Sequence, residues 1–277
     1  MISLTSVDFS YDKKQRLIDN LSLTLDRGTI YGLLGKNGTG KSTLLKLIAG
    51  SRFPQEGSVV VDNIKSKERD FSILSNSFFL PEDFKLPNCS IKSYESVNGV
   101  FYPKYDQDAF YSLLDKFEVD PEKRCKDLSF GQAKKVGIAF ALATNVDLLI
   151  LDEPTNGLDI PSKSQLREAL LRGFSDDQIV IISTHQVRDL NQLIESVIIL
   201  DHGQIIFHQP THQIEESILF EQSLSPSQSP DVLYSEMGLG GYINLKQNTN
   251  KQPRPVDLEI LFNGVVSNPS RINNLFK

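Results

Sequence analysis

One nine-residue stretch, GKNGTGKST at Gly35–Thr43, restricts the fold more than anything else in the chain. It fits the pattern G-x-x-x-x-G-K-[ST] and lies between a short apolar run, GTIYGLLG, and a helix-like segment, KSTLLKLIAG, that ends at Gly50. In that setting Gly35, Gly38 and Gly40 let the backbone curl so that successive N–H groups surround a phosphate. Lys41 then reaches the β and γ oxygens, and Ser42 offers a hydroxyl to Mg2+. A glycine-rich turn with an incidental lysine is the competing reading, and the flanking strand and helix weigh against it. A buried parallel strand feeding such a turn belongs to an α/β fold.

Further buried strands are predicted at DLLILDEP (147–154), IVIIST (179–184) and SVIIL (196–200), with helical segments between them. Alternation predicts two more strands near the start, at 2–11 and 21–25. DLLILDEP supplies the second half of a phosphate site. An apolar strand that ends in paired acids puts Asp152 and Glu153 at the carboxyl edge of a parallel sheet, where ligands bind in such folds. Asp152 is placed to hold Mg2+ and Glu153 to polarise an attacking water.

Between about Asp83 and Lys126 the apolar spacing turns helical, in DAFYSLLDKF, and aromatics gather in VFYPKYD. After His212 the patterning weakens: SLSPSQSP reads as a linker or loop, and VDLEILFNGVV as a short packed helix or strand. A net charge of -6 argues against coating nucleic acid. Cys89 and Cys125 have neither metal-site spacing nor disulfide density, so both are expected as free thiols in a reducing cytoplasm. The first residues do not resemble a signal peptide, and no apolar run approaches the roughly 20 residues of a membrane span.

With GKNGTGKST, LSFGQ (128–132) and LLILDEP in that order, the chain resembles the ATP-binding cassette (ABC) ATPases over roughly residues 1–212. The resemblance implies a P-loop NTPase fold. Its mostly parallel sheet is flanked by helices, with an antiparallel β subdomain and a helical subdomain, about 83–145, that carries the signature LSFGQ. Residues 213–277 are then a C-terminal extension of unassigned role. In this family two cassettes pair head to tail and each ATP lies between the P-loop of one and the signature of the other. Ser129 and Gly131, with Gln132, are thus expected to face the γ-phosphate held by a second subunit.

Single positions carry over in the same way. Lys41, Glu153 and His185, the last matching the switch histidine, are the expected catalytic groups. Gly35, Asn37, Gly38, Gly40, Lys41, Ser42 and Thr43 are expected to bind nucleotide, and Ser42 and Asp152 the metal. Tyr11 matches the aromatic that stacks on adenine, an ordinary strand aromatic being its other reading. Asp159, in the NGLD that matches the D-loop, is expected along the partner subunit; turn and helix-cap duty for Gly157 and Asp159 is the alternative. Two departures stand out: Phe130 replaces a frequent glycine in the signature, and Glu82 replaces the glutamine of the phosphate-sensing loop. A carboxylate there binds metal more strongly and adds negative charge beside the phosphates; Glu82 pointing away is the alternative.

The resemblance implies a Mg2+-dependent ATPase subunit, cytoplasmic and peripheral, that powers transport by a separate membrane-spanning chain and pairs with an identical or different cassette. FYPKYD ahead of LSFGQAKKV is most similar to bacterial exporter-type cassettes. Phe101, Tyr102 and Tyr105 line the membrane-subunit groove on one reading and fill the helical subdomain's core on the other. No direct nucleic-acid partner is expected. Rival readings are a soluble ABC protein acting on ribosomes or DNA, against which a single cassette without a heptad insertion speaks, and a nucleotide-dependent scaffold.

Overall fold

The computed structural model describes residues 1–277 except 13–15, 187–190, 226–228, 230, 239 and 251–252. At its centre is a sheet in the order β10-β9-β3-β8-β7-β6: β10 (Gln204–Pro210), β9 (Ser196–Asp201), β3 (Thr29–Leu34), β8 (Ile179–Thr184), β7 (Leu148–Asp152) and β6 (Ser77–Leu80). All pairings are parallel except β10 with β9. An antiparallel sheet, β2-β1-β4-β5, joins β2 (Ile18–Leu25), β1 (Ile2–Phe9), β4 (Glu56–Val61) and β5 (Ile64–Lys65). The helices up to the tail are α1 (Lys41–Ile48), α2 (Phe71–Ser75), α3 (Ile91–Gly99), α4 (Gln107–Lys116), α5 (Phe130–Ala143) and α6 (Ile160–Gly173). This is the P-loop NTPase architecture expected from the sequence.

The period of two along a strand divides the interior into two cores. Ile30, Leu34, Leu149, Leu151, Val180 and Ile182 join one core with α4, α5 and α6. Tyr31, Leu33, Leu148, Ile150, Ile179 and Ile181 join the other with α1 and the antiparallel sheet. Each Leu or Ile so buried contributes about 1.5–3 kcal/mol. The helix that follows the phosphate motif and the helix that follows the signature therefore lie on opposite faces of one sheet.

Helix starts follow local chemistry. Ser90 and Asp106 cap α3 and α4 through side-chain oxygens. Ser129 and Gln132 form a reciprocal capping box at α5, and Asp159 caps α6 with Pro161 in its first turn.

The boundaries differ from the sequence reading in two places. The first strand stops at Phe9 rather than residue 11, because the Ser10 amide and hydroxyl turn to the Gln55 side chain at 3.0 and 2.9 Å. The second begins at Ile18 rather than Leu21; Asn20 has a φ of 46° and its amide bonds Asp8 at 2.7 Å, which breaks the alternation. Tyr102 and Tyr105 pack on Phe140 at 6.0 and 5.3 Å, as the core reading required, whereas Phe101 is exposed.

The tail is more ordered than its composition suggested. After α7 (Thr211–Ser217), β11 (Ile218–Ser223), β13 (Gly241–Gln247) and β12 (Val232–Gly238) form an antiparallel sheet in that order, followed by α8 (Leu258–Ser267) and α9 (Pro269–Asn273). VDLEILFNGVV thus forms a helix, started by Asp257, which accepts from the amides of Glu259 and Ile260. Leu233, Leu245, Ile260, Leu261 and Val265 belong to the same core as α5. No helix among the described residues is long and apolar enough to cross a membrane.

Candidate functional site

The turn between β3 and α1 curls through left-handed backbone at Gly38 (φ 82°) and Gly40 (φ 104°). A side chain at Gly35 would strike the Leu200 carbonyl at 2.6 Å, so the turn is packed down on β9. Lys41 lies buried across it, donating to the carbonyls of Gly35 (2.7 Å) and Lys36 (3.2 Å). Burial pulls its pKa below the ordinary lysine value, against the opposing pull of the Glu153, Asp152 and Glu82 carboxylates. Asn37, Gly38, Gly40, Lys41, Ser42 and Thr43 line one cleft of about 270 Å3 with Glu82 and Glu153. Tyr11 does not line it; its hydroxyl lies 3.2 Å from Thr43 Oγ1, which does.

The acids sit at the carboxyl end of β7. Asp152 is 2% exposed and accepts a hydrogen bond from Ser183 Oγ on the adjacent strand β8. Glu153 leaves the strand with a φ of 47°, and its amide is held by the Ser183 carbonyl and hydroxyl, both at 3.1 Å. His185, two residues beyond Ser183, completes the set: its Nδ1 is 2.9 Å from Glu153 Oε1 and its backbone N–H donates to Oε2 at 3.2 Å. Strand register makes these contacts, since Asp152 is paired with Ser183. Beyond His185 an adjoining cavity of about 660 Å3 is walled on its far side by Glu259, Phe262 and Asn263 of α8.

Glu82 points toward this site. It lines the cleft and its Oε1 accepts from Asn156 Nδ2 at 3.0 Å. Ser42, Asp152 and Glu82 offer hard oxygen donors of the kind Mg2+ takes. The residues present fit a metal–nucleotide pair.

Ser129, Gly131, Gln132 and Asp159 do not line that cleft. Ser129 Oγ accepts from the Gln132 amide, and Gln132 returns a bond to the Ser129 amide. Gly131 is packed on the Gly157 carbonyl, where an added Cβ would come within 2.7 Å. The Phe130 ring lies over Gly157 yet remains 59% exposed. Asp159 caps the Ser162 amide at 2.9 Å and contacts Lys135 at 3.4 Å; hydrogen bonds from the Ser162 side chain first, and then from its amide, hold the carboxyl below the usual range. The signature thus forms one surface patch with Gly157 and Asp159 apart from the phosphate cleft, while Asn156 of the same NGLD stretch reaches Glu82 at the edge of that cleft.

Sequence reading missed Ser183 and Lys134, and placed Asn156 in the NGLD stretch without its contact to Glu82. Ser183 and Asn156 are polar residues within or beside the motifs, so strand register was the available clue for Ser183; Lys134 is a lysine on what reads as an apolar helix.

Fold and site together define a nucleotide-binding α/β cassette. The profile of the ABC transporter family matches residues 18–156. The ABC transporter ATP-binding protein YtrB of Bacillus subtilis (strain 168) is 26% identical over 221 residues, 79% of this chain and 75% of its own. An uncharacterized ABC transporter ATP-binding protein of the same strain, YybJ, is 30% identical over 204 residues, 70% of this chain and 89% of its own. Among solved structures, the dimeric structure of MJ0796, a bacterial ABC transporter cassette, matches with a TM-score of 0.68 at 25% identity, covering 76% of this chain and 98% of that one. The chain belongs to the ABC transporter family, as an ATP-binding subunit.

Proposed function

We propose that this subunit hydrolyses ATP in a head-to-tail dimer and that the cycle drives a separate membrane-spanning partner from the cytoplasmic face. The observation that carries the dimer is the sheet itself: α1 packs on one face and α5 on the other, and Ser129 and Gly131 stay out of their own chain's phosphate cleft. A nucleotide that touches both motifs draws them from two molecules, and loss of the γ-phosphate then weakens the pair.

Within each site the P-loop amides and Lys41 hold the β and γ phosphates. Ser42 and Asp152, with Glu82 beside them, would hold Mg2+, which would supply charge neutralisation at the phosphate oxygens. Glu153 accepts the proton of the attacking water, and His185 fixes the orientation of that carboxylate through the 2.9 Å contact. Tyr11 supports the adenine ring, and Gln132 and Asp159 shape the facing surface of the partner. Residues 1–212 act as the ATPase unit, with 83–145 as its helical subdomain and 213–277 packed onto it. Exposed Phe71, Val97, Val100 and Phe101 on α2 and around the end of α3 flank the Glu82 segment in the chain and support docking of an apolar partner surface.

The test is Glu153→Gln. ATP binding is expected to persist, phosphate release to fall by about 10²–10⁴-fold, and an ATP-dependent dimer to accumulate on size-exclusion chromatography. Turnover at the parental rate refutes the base assignment; a variant that stays monomeric at saturating ATP refutes the shared site. Copurification with a multi-spanning membrane protein, rather than with ribosomes or DNA, tests the transport reading.

A further inference from the structure

Lys134 is the most unusual side chain in the core. It lies on α5, five residues past Ser129, and is 1% exposed. No carboxylate pairs with it among the described residues; its ammonium instead donates to the backbone carbonyls of Pro81 (3.3 Å) and Glu82 (3.2 Å). A buried ammonium is costly, and a Leu or Met would fill the same space without that cost. The lysine therefore needs a use beyond packing.

Its surroundings supply one. One turn further along α5, Gly137 leaves room for the Phe84 ring and Leu80 to close on the helix, since an added Cβ would meet them at 2.6 and 3.0 Å. The turn after β6 is thus clamped to α5 twice, by steric fit at Gly137 and by hydrogen bonds at Lys134. The same turn sends its Glu82 side chain into the phosphate cleft, where it also meets Asn156. A continuous path runs from the signature at the start of α5, through Lys134, to the carboxylate beside the phosphates.

We propose that Lys134 is a positioning residue that holds the Glu82 turn against the signature helix and so sets where the Glu82 carboxylate sits in the phosphate cleft. This rests on the reading of Glu82 as a metal-side group. Lys134 does not line the phosphate cleft and acts through Glu82.

Lys134→Met removes the donors and keeps the bulk; Lys134→Arg keeps donors. The Phe84 amide bonds the same Pro81 carbonyl that Lys134 holds, at 3.2 Å, and reports the state of the turn without nucleotide or metal. In nucleotide-free full-length protein, hydrogen exchange at Phe84 is expected to quicken about tenfold or more in Lys134→Met, with the amides of Ile138 and Phe140 unchanged and Lys134→Arg restoring part of the protection. In turnover, the Mg2+ concentration for half-maximal rate is expected to rise about fivefold or more, with KM for ATP at saturating Mg2+ moving less than about twofold. In a Glu82→Ala background, Lys134→Met is expected to add no metal shift.

Unchanged exchange at Phe84, or a metal shift that persists without Glu82, overturns the proposal. Should Lys134→Met not fold, Lys134→Gln, which keeps one donor group, takes the same measurements under the same criteria. The outcomes separate from those of the proposed function: an active Glu153→Gln enzyme would sink the hydrolytic reading and leave the Phe84 result standing.

Discussion

Ser183→Ala tests whether the two acids are held by strand β8 rather than by their own strand alone. The hydroxyl donates to Asp152 and accepts from the Glu153 amide at 3.1 Å, and Ser183 is fully buried. Alanine deletes both contacts, though the Glu153 amide keeps the Ser183 carbonyl at 3.1 Å. The loss is therefore chiefly one hydrogen bond to an ionised group in a site closed to water, about 1.5–3 kcal/mol. At about 2–4 °C per kcal/mol for a chain of roughly this size, the melting temperature should fall by about 3–12 °C. Asp152, freed from its brace, should also hold metal less well, and about 1.4 kcal/mol of misalignment is a tenfold rise in the Mg2+ needed for half-maximal turnover. Scanning calorimetry and a Mg2+ titration of phosphate release measure the two effects, with Ser183→Thr expected to recover most of both. A melting temperature within about 1 °C of the parent, with unchanged metal dependence, would refute the reasoning.

Two further expectations follow from packing and burial. In Gly131→Ala the new methyl meets the Gly157 carbonyl, forcing signature and D-loop apart at a cost of about 1–3 kcal/mol. Urea unfolding should show that loss and chromatography a weaker ATP-dependent dimer, with nucleotide binding by the monomer intact; a dimer as tight as the parent's would count against the patch as an interface. Burial, aided by the neighbouring Cys89, pushes the Cys125 thiol up to about 11 from a reference of 9.0. At pH 8 iodoacetamide should therefore modify it about a hundredfold more slowly than an unperturbed thiol. Because the folded pKa is the higher one, the favourable contribution of the neutral thiol is complete below pH 9 and is lost as pH rises through 11. Mass spectrometry that finds Cys125 alkylated as fast as a small thiol would refute this.

The phosphate turn, the acid pair and His185 were legible in the sequence because each is fixed by a local rule: glycine where the backbone turns left-handed, an apolar strand with polar residues at its end. The contacts that orient them were not. Ser183 reaches Asp152 only through the pairing of β7 with β8, and Asn156 reaches Glu82 across 74 positions of chain. The tail sheet was obscured because a polar residue sits among its inward side chains; Asn244 of β13 is buried beside Leu245 and donates to Ser223 of β11. Lys134 was hidden by its residue type, since a lysine on a helix ordinarily marks the solvated side. Tyr102 and Tyr105 separated from Phe101 only once α5 supplied Phe140 as their partner.

The tail's apolar residues share one interior with the helix that follows the signature, while the P-loop helix keeps a separate interior across the sheet. Residues 213–277 are thus ballast bolted to one side of the machine. On the proposed dimer, a force that shifts them is expected to reach the signature face through that shared interior before it reaches the P-loop.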